Sequence, residues 1–338
     1  MDVTFLIGNG CDLRLGMHTR YKDMYKGYVV TESKAPYIEK FKAIIKADEQ
    51  RDYMTWGDFE MAMAEYAKEF DNENEFIQCV RDFKQYMAEH LRREQEDFLE
   101  SVKAFEFYNM ICAKEMSDSL LGYYNGQTPN VINEIKSLEE DGYINYNFIS
   151  FNYTSTFDYL LSVYRRYYDG KRCNSPIHIH GSLDKDIVLG VDNVNQFPKM
   201  KFGISKKMER AFVKPRFNAE FDVSRVAKAE NIVDKSDVIC IYGMSLGSSD
   251  DTWVLKLRDW LLVDSKHHLF YYSYSTDAYN DWNSDEKMDV EDERKEDLLK
   301  KFFNSSQEQE AVIEQVHIPV GYDIFDFVNK LKASITAS

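Results

Sequence analysis

Val3-Thr4-Phe5-Leu6-Ile7 is a short, nearly continuous apolar run that stops at Gly8-Asn9-Gly10-Cys11-Asp12. Such a run, without polar alternation, predicts a central parallel strand covered on both faces. Two glycines one residue apart let the chain bend sharply and let a ligand approach the backbone amides. A strand, a Gly-rich turn and a polar segment together are how an open α/β sheet makes a nucleotide pocket. The spacing is not the dinucleotide fingerprint of oxidoreductases, because Leu13 stands where a third glycine belongs.

The strand-then-turn pattern recurs. Residues 147–151 run into Asn152-Tyr153-Thr154, residues 177–180 into Gly181-Ser182, and residues 238–242 into Gly243-Met244-Ser245-Leu246-Gly247. Residues 187–190, 268–272 and 316–320 read as three further short strands. Residues 36–140 carry no strand signal: Phe76, Val80, Phe83, Met87, Leu91, Phe98, Val102 and Phe105 form one face of a long amphipathic helix. Glu94-Gln95-Glu96-Asp97 marks a bend or solvated turn within it. Helices are also expected twice within 205–234, through Trp253, Leu257, Trp260 and Leu261, after an acidic loop in 277–297, and at 323–335.

Strands alternating with helices predict a Rossmann-like α/β fold. Its sheet is open and mainly parallel, with helices on both faces and a large all-helical insertion after the first strand. Residues 1–30 and 141–338 then form the nucleotide-binding domain, and residues 31–140 the insertion.

A formal net charge of −16 argues against general nucleic-acid binding, which needs clustered cations. The five cysteines are scattered, with no Cys-x-x-Cys pair, and imply a reducing compartment and no metal. No apolar run is long enough to cross a bilayer. A first strand starting at residue 3 leaves no room for a signal peptide, so a cytoplasmic location is expected. Exposed aromatics on long helices leave homo-oligomerisation open.

In an open parallel sheet the strand C-termini converge on one ligand-binding edge. Each segment there also has a plain reading as a turn. Gly243-x-Ser245-x-Gly247 has the outline of a nucleophile elbow, with Asp264 or Asp277 and His317 as downstream partners. Ser248-Ser249-Asp250-Asp251 instead reads as a helix N-cap with an acidic first turn, which disfavours a serine hydrolase.

Phe5-Leu6-Ile7-Gly8-Asn9-Gly10-Cys11-Asp12-Leu13, with Gly16 and Thr19-x-Tyr21-x-Asp23, resembles the opening signature of the bacteriophage abortive infection AbiH family. Trp56-Gly57-Asp58-Phe59-Glu60, Phe151-Asn152-Tyr153-Thr154, Ile177-His178-Ile179-His180-Gly181 and Ile241-Tyr242-Gly243-Met244-Ser245-Leu246-Gly247-x-x-Asp250 match its later motifs in order. Cys11 departs from the aromatic or aliphatic residue expected there, a matter of packing. The resemblance implies antiphage defence, with a phage-derived trigger or companion protein.

More distantly, the same segments are similar to sirtuin-like NAD-binding domains. That similarity implies that Gly8, Asn9 and Gly10 approach the pyrophosphate or ribose, that Gly243 and Ser245 line the pocket, and that Asn152 and His180 sit at the nicotinamide ribose. Asp12, Thr154, Gly181 and Leu246 join the NAD-binding set with their motifs. With no zinc module, NAD cleavage by water is implied rather than deacylation. Asn152 can bond a water and a ribose hydroxyl at once, and His180 can take the proton. Asp12 would stabilise developing positive charge or orient His180. His178, on the opposite face of its strand, is structural. For Glu60 a place at a helix N-terminus is favoured over a place at the pocket rim. The alternative function is a nucleotide sensor acting through a partner, without hydrolysis.

Overall fold

The structure is a computed structural model and describes residues 1–49, 58–103, 106–139, 143–168, 172–273, 284–321 and 324–336. The chain opens with β1 (Asp2–Ile7), followed by α1 (Gly10–Arg14), α2 (Tyr21–Tyr28), α3 (Pro36–Glu49), α4 (Phe59–Tyr66), α5 (Glu73–Lys103), α6 (Glu106–Leu121) and α7 (Pro129–Ser137). Then come β2 (Asn145–Ser150), α8 (Thr156–Tyr167), β3 (Ile177–His178), α9 (Lys206–Phe212), α10 (Lys214–Phe221), α11 (Val223–Lys235) and β4 (Val238–Tyr242). The last elements are α12 (Asp251–Val263), β5 (His268–Tyr272), α13 (Ser284–Phe302), α14 (Ser306–Val312), β6 (Val316–His317) and α15 (Phe327–Thr336).

The strands form one six-stranded sheet in the order β3-β2-β1-β4-β5-β6, parallel throughout. This is the doubly wound order, with its switch point between β1 and β4. Both sheet faces are covered, which is why β1 lacks polar alternation. Val3, Phe5 and Ile7 pack with α1, α6, α8 and α15, whereas Leu6 packs on the other face with α11, α12 and α13. A further core joins Met24, Phe41, Phe59, Phe76 and Phe83 of α2–α5 to Leu183, Leu189, Met208 and Phe212, while Phe98 and Val102, near the end of α5, join the sheet core. So α5 bridges two cores. No described helix is long and apolar enough to cross a membrane.

Several elements differ from the sequence reading. Glu94-Gln95-Glu96-Asp97 does not interrupt α5. Glu and Gln are good helix formers, and here they fasten loops: Glu94 accepts the His18 amide and Gln95 the Ser155 amide. Residues 187–190 form no strand; Ile187, Val188 and Leu189 are buried, but Lys84 and the Tyr153 hydroxyl take the carbonyls of Ile187 and Val188. Three helices rather than two occupy 205–235, because the chain breaks at Val213 and again at Asp222, which caps α11 through the Arg225 amide. The third and sixth strands are two residues each. Residues 274–283, the first part of the acidic segment and with it Asp277, lie outside the described residues, as do Trp56 and Gly57.

Candidate functional site

The turns after β1 and β4 meet at the switch point. The Gly8 amide donates to the Tyr242 carbonyl at 2.9 Å and the Gly10 amide to the Gly243 carbonyl at 2.7 Å. A Cβ on Gly8 would lie 2.5 Å from the Gly243 oxygen, and one on Gly10 would lie 2.5 Å from the Gly243 Cα. These glycines therefore let two turns touch, and the Gly8 and Gly10 amides are occupied in doing so. Asn9 clasps Thr19, accepting its hydroxyl at 2.6 Å and donating to its carbonyl at 3.0 Å.

Around these turns lies a cavity of about 770 Å³, within the usual range for a small-molecule site. It is lined by Gly8, Asn9, Gly10, Asp12, Asn152, Thr154, His180, Gly243 and Ser245, so one cavity gathers nine of the eleven expected site residues. Gly181 and Leu246 do not line it. Gly181 (φ 78°) packs its Cα against the Asp186 carbonyl, and Leu246 turns into the core below the sheet edge.

Asp12 is buried at the start of α1 and receives two hydroxyls, Thr154 at 2.6 Å and Thr156 at 2.7 Å. Burial pushes its pKa up to about 6, although both threonines and the nearby charge of His178 pull it down. Asn152 follows β2 and is 5% exposed, yet neither its Nδ2 nor its Oδ1 has a hydrogen-bond partner among the described residues. It leans on Asp12 enough to favour the carboxylate, but without hydrogen-bond geometry. An unpaired buried amide costs about 1–3 kcal/mol, so it marks a place where something polar is meant to bind. Behind it, His178 donates from Nδ1 to the Asn152 carbonyl and from Nε2 to Asp158, each at 2.9 Å. Burial lowers the His178 pKa, but Asp158 outweighs burial and the net shift is upward. As expected, His178 does not line the cavity, and it fixes the backbone of Asn152.

His180 is held by Asp250, which the sequence reading named in a motif and a helix cap but not as a partner of His180. Its Nε2 faces Asp250 Oδ1 at 3.2 Å, which leaves Nδ1 as the ring's acceptor. The same Asp250 oxygen receives Lys214 Nζ at 3.0 Å, and Lys214 also reaches Glu60 at 2.7 Å and the Ser249 carbonyl at 2.9 Å. Burial alone would raise the Asp250 pKa, yet Lys214 and His180 bring it well below the carboxylate range. Burial alone would also lower the Lys214 pKa, and Asp250 and Glu60 raise it instead.

Asp58 caps α4 by accepting the Met61 amide, as a helix N-terminus requires. Glu60 does stand in the first turn of α4, yet it is 4% exposed, lines the cavity, holds Lys214 and accepts the Gly190 amide at 3.1 Å. Asp250 was legible as the last residue of the matched strand-end motif; Lys214, the first residue of α10, carried no signal.

Among the described residues the elbow reading of Ser245 finds no triad. Asp264 precedes β5, at the opposite end of the sheet from Ser245, which follows β4. His317 lies within β6, where its Nε2 pairs with His268 Nδ1 at 3.0 Å. Among the described residues no group of three or more His, Cys, Asp or Glu is placed to hold a metal ion. Cys11 is buried against the sheet, and burial raises its thiol pKa well above normal, so it packs rather than reacts.

An open parallel sheet with a cavity at its switch point, walled by strand-end polar residues, makes this an α/β protein of the doubly wound class. The model of the family Bacteriophage abortive infection AbiH matches residues 4–272, from β1 to β5, and the chain belongs to that family. The family carries an antiphage, abortive-infection role. No curated protein matches the chain.

Proposed function

We propose that the chain acts in abortive infection by binding NAD in this cavity and hydrolysing its nicotinamide–ribose bond. The observation that carries the reading is Asn152: a buried, unpaired amide in the same cavity as the His180–Asp250 pair and Asp12. An amide with both ends unpaired suits a ribose hydroxyl and the attacking water together. His180, held through Nε2 by Asp250, takes the water proton at Nδ1 as oxygen bonds to the anomeric carbon. The carbon–nitrogen bond breaks, its electron pair neutralises the nicotinamide ring, and ADP-ribose is the other product. Asp12, ionised above about pH 6, offers negative charge to the cationic sugar in the transition state. With the Gly8 and Gly10 amides occupied, the pyrophosphate falls to side chains around the turns, and Thr154 serves by setting Asp12.

Incubation of the purified chain with NAD, followed by chromatography for nicotinamide, tests this, with a parallel measurement in infected cells in case a phage-derived trigger is required. Nicotinamide release in either setting supports the reading. NAD bound but intact in both would favour a sensor acting through a companion protein.

A further inference from the structure

One end of the cavity carries more negative charge than its own cation balances. Asp58, Glu60 and Asp250 converge there. Lys214 spends its ammonium on Glu60, Asp250 and the Ser249 carbonyl, which uses all three of its protons. Asp58 meets only backbone: its Oδ1 accepts the Met61 amide and its Oδ2 the Ser249 amide at 2.8 Å, with no cation beside it among the described residues. Three carboxylates against one ammonium leave two negative charges at a largely buried wall when His180 is neutral. The surplus is felt next door, where the Asp251 pKa is raised by burial and by Asp192, Asp58 and Asp250.

Two tyrosines share that end. Tyr21 and Tyr153 both line the cavity, and the Tyr153 hydroxyl donates to the Val188 carbonyl at 3.0 Å. The Tyr153 ring centre lies 6.3 Å from that of His180. With the Tyr153 hydroxyl committed to backbone, what it still offers a ligand is ring surface, and the Tyr21 ring lines the same cavity. Aromatic rings and surplus carboxylate in a desolvated wall attract an organic cation, through ring quadrupoles and direct charge. Asn152, unpaired beside them, supplies hydrogen bonds that a flat amide-bearing ring can use.

We propose that Asp58, Glu60, Tyr21 and Tyr153 form a subsite for a planar organic cation of the pyridinium type, so that the pocket selects a positively charged nicotinamide ring. This rests on the NAD reading for its natural occupant, but not for its chemistry. The subsite would bind the cationic, oxidised dinucleotide in preference to its uncharged-ring, reduced form. It would also release neutral nicotinamide once the glycosidic bond breaks, because the charge that held the ring is gone.

Calorimetric titration of the full chain with 1-methylnicotinamide (a cation) and with nicotinamide (neutral) tests the subsite, and titration with NAD and NADH tests its use. The cation should bind about tenfold more tightly than the neutral ring. Asp58→Asn and Glu60→Gln, which keep shape while each removes one charge and turns one acceptor oxygen into a donor, should each reduce that preference several-fold. Thermal melting confirms that each variant is folded; if one is not, the other carries the test. Equal binding of cation and neutral ring, binding of neither, or a preference unchanged in a folded variant overturns the subsite. Binding of the cation without binding of NAD leaves the subsite standing and overturns the NAD reading instead.

Discussion

Gly10 donates its amide to the Gly243 carbonyl at 2.7 Å, and the Cβ that either residue lacks would fall on the backbone of the other turn. That contact joins the β1 and β4 ends and shapes the floor of the cavity. Gly243 has a φ of 68°, so a side chain there meets both conformational strain and a Cβ 2.6 Å from the Cys11 amide nitrogen. Gly243→Ala is expected to cost about 3 kcal/mol, from about 1–2 for the left-handed backbone and about 1–3 for overpacking. Denaturant unfolding measures it, and a loss under 1 kcal/mol would mean that the turns separate easily.

Asp12 gives the fold a pH dependence of unusual sign for a carboxylate. Its folded pKa, about 6, lies above the unfolded value, so its contribution is fully present below about pH 4 and fades as pH rises through 6. Two pKa units correspond to roughly 3 kcal/mol. Asp12→Asn should therefore unfold with a flatter dependence than wild type between pH 4 and 7. Parallel curves for the two proteins would show that Asp12 titrates normally.

The buried His268–His317 pair works in the opposite direction. Burial and the facing His268 bring His317 down to about 3, so its contribution is complete above the unfolded value near 6.5 and drains away as pH falls towards 3. Replacing the ring, as in His317→Leu, should reduce the loss of melting temperature between pH 7 and pH 5. A variant that loses as much as wild type over that interval would assign the acid sensitivity elsewhere.

Much of this was legible in the chain. The apolar run of β1 reads as a buried central strand because nothing in it alternates, and the turns after β1, β2 and β4 announce themselves by Gly8, Asn152 and Gly243. Residues 187–190 misled because burial, not sheet pairing, is what apolar sequence reports; the carbonyls of Ile187 and Val188 go to side chains from α5 and from the turn after β2. The purpose of Gly8 and Gly10 was also only half visible, since no local pattern says that a second turn, more than two hundred residues away, presses on them. Lys214 was invisible for the same reason. Its meaning lies in Glu60 and Asp250, which only the fold brings to it.

Lys214→Met probes that assembly. Removing the ammonium strands Glu60 and Asp250 as buried charges, a loss expected at about 3–5 kcal/mol. Adding Glu60→Gln should recover part of it by discharging one of the two carboxylates, which a double-mutant cycle reads directly. Additive losses would mean that the pair contributes nothing as a pair.

The central claim is tested most directly by the rate of nicotinamide release from NAD with wild type and with Asn152→Ala, alongside NAD affinity for both. The account predicts release by the wild type, at least about a hundredfold slower release by Asn152→Ala, the scale of one positioned catalytic group, and NAD binding retained in the variant. Release by Asn152→Ala at the wild-type rate, or NAD left intact by wild type both purified and in infected cells, would contradict it.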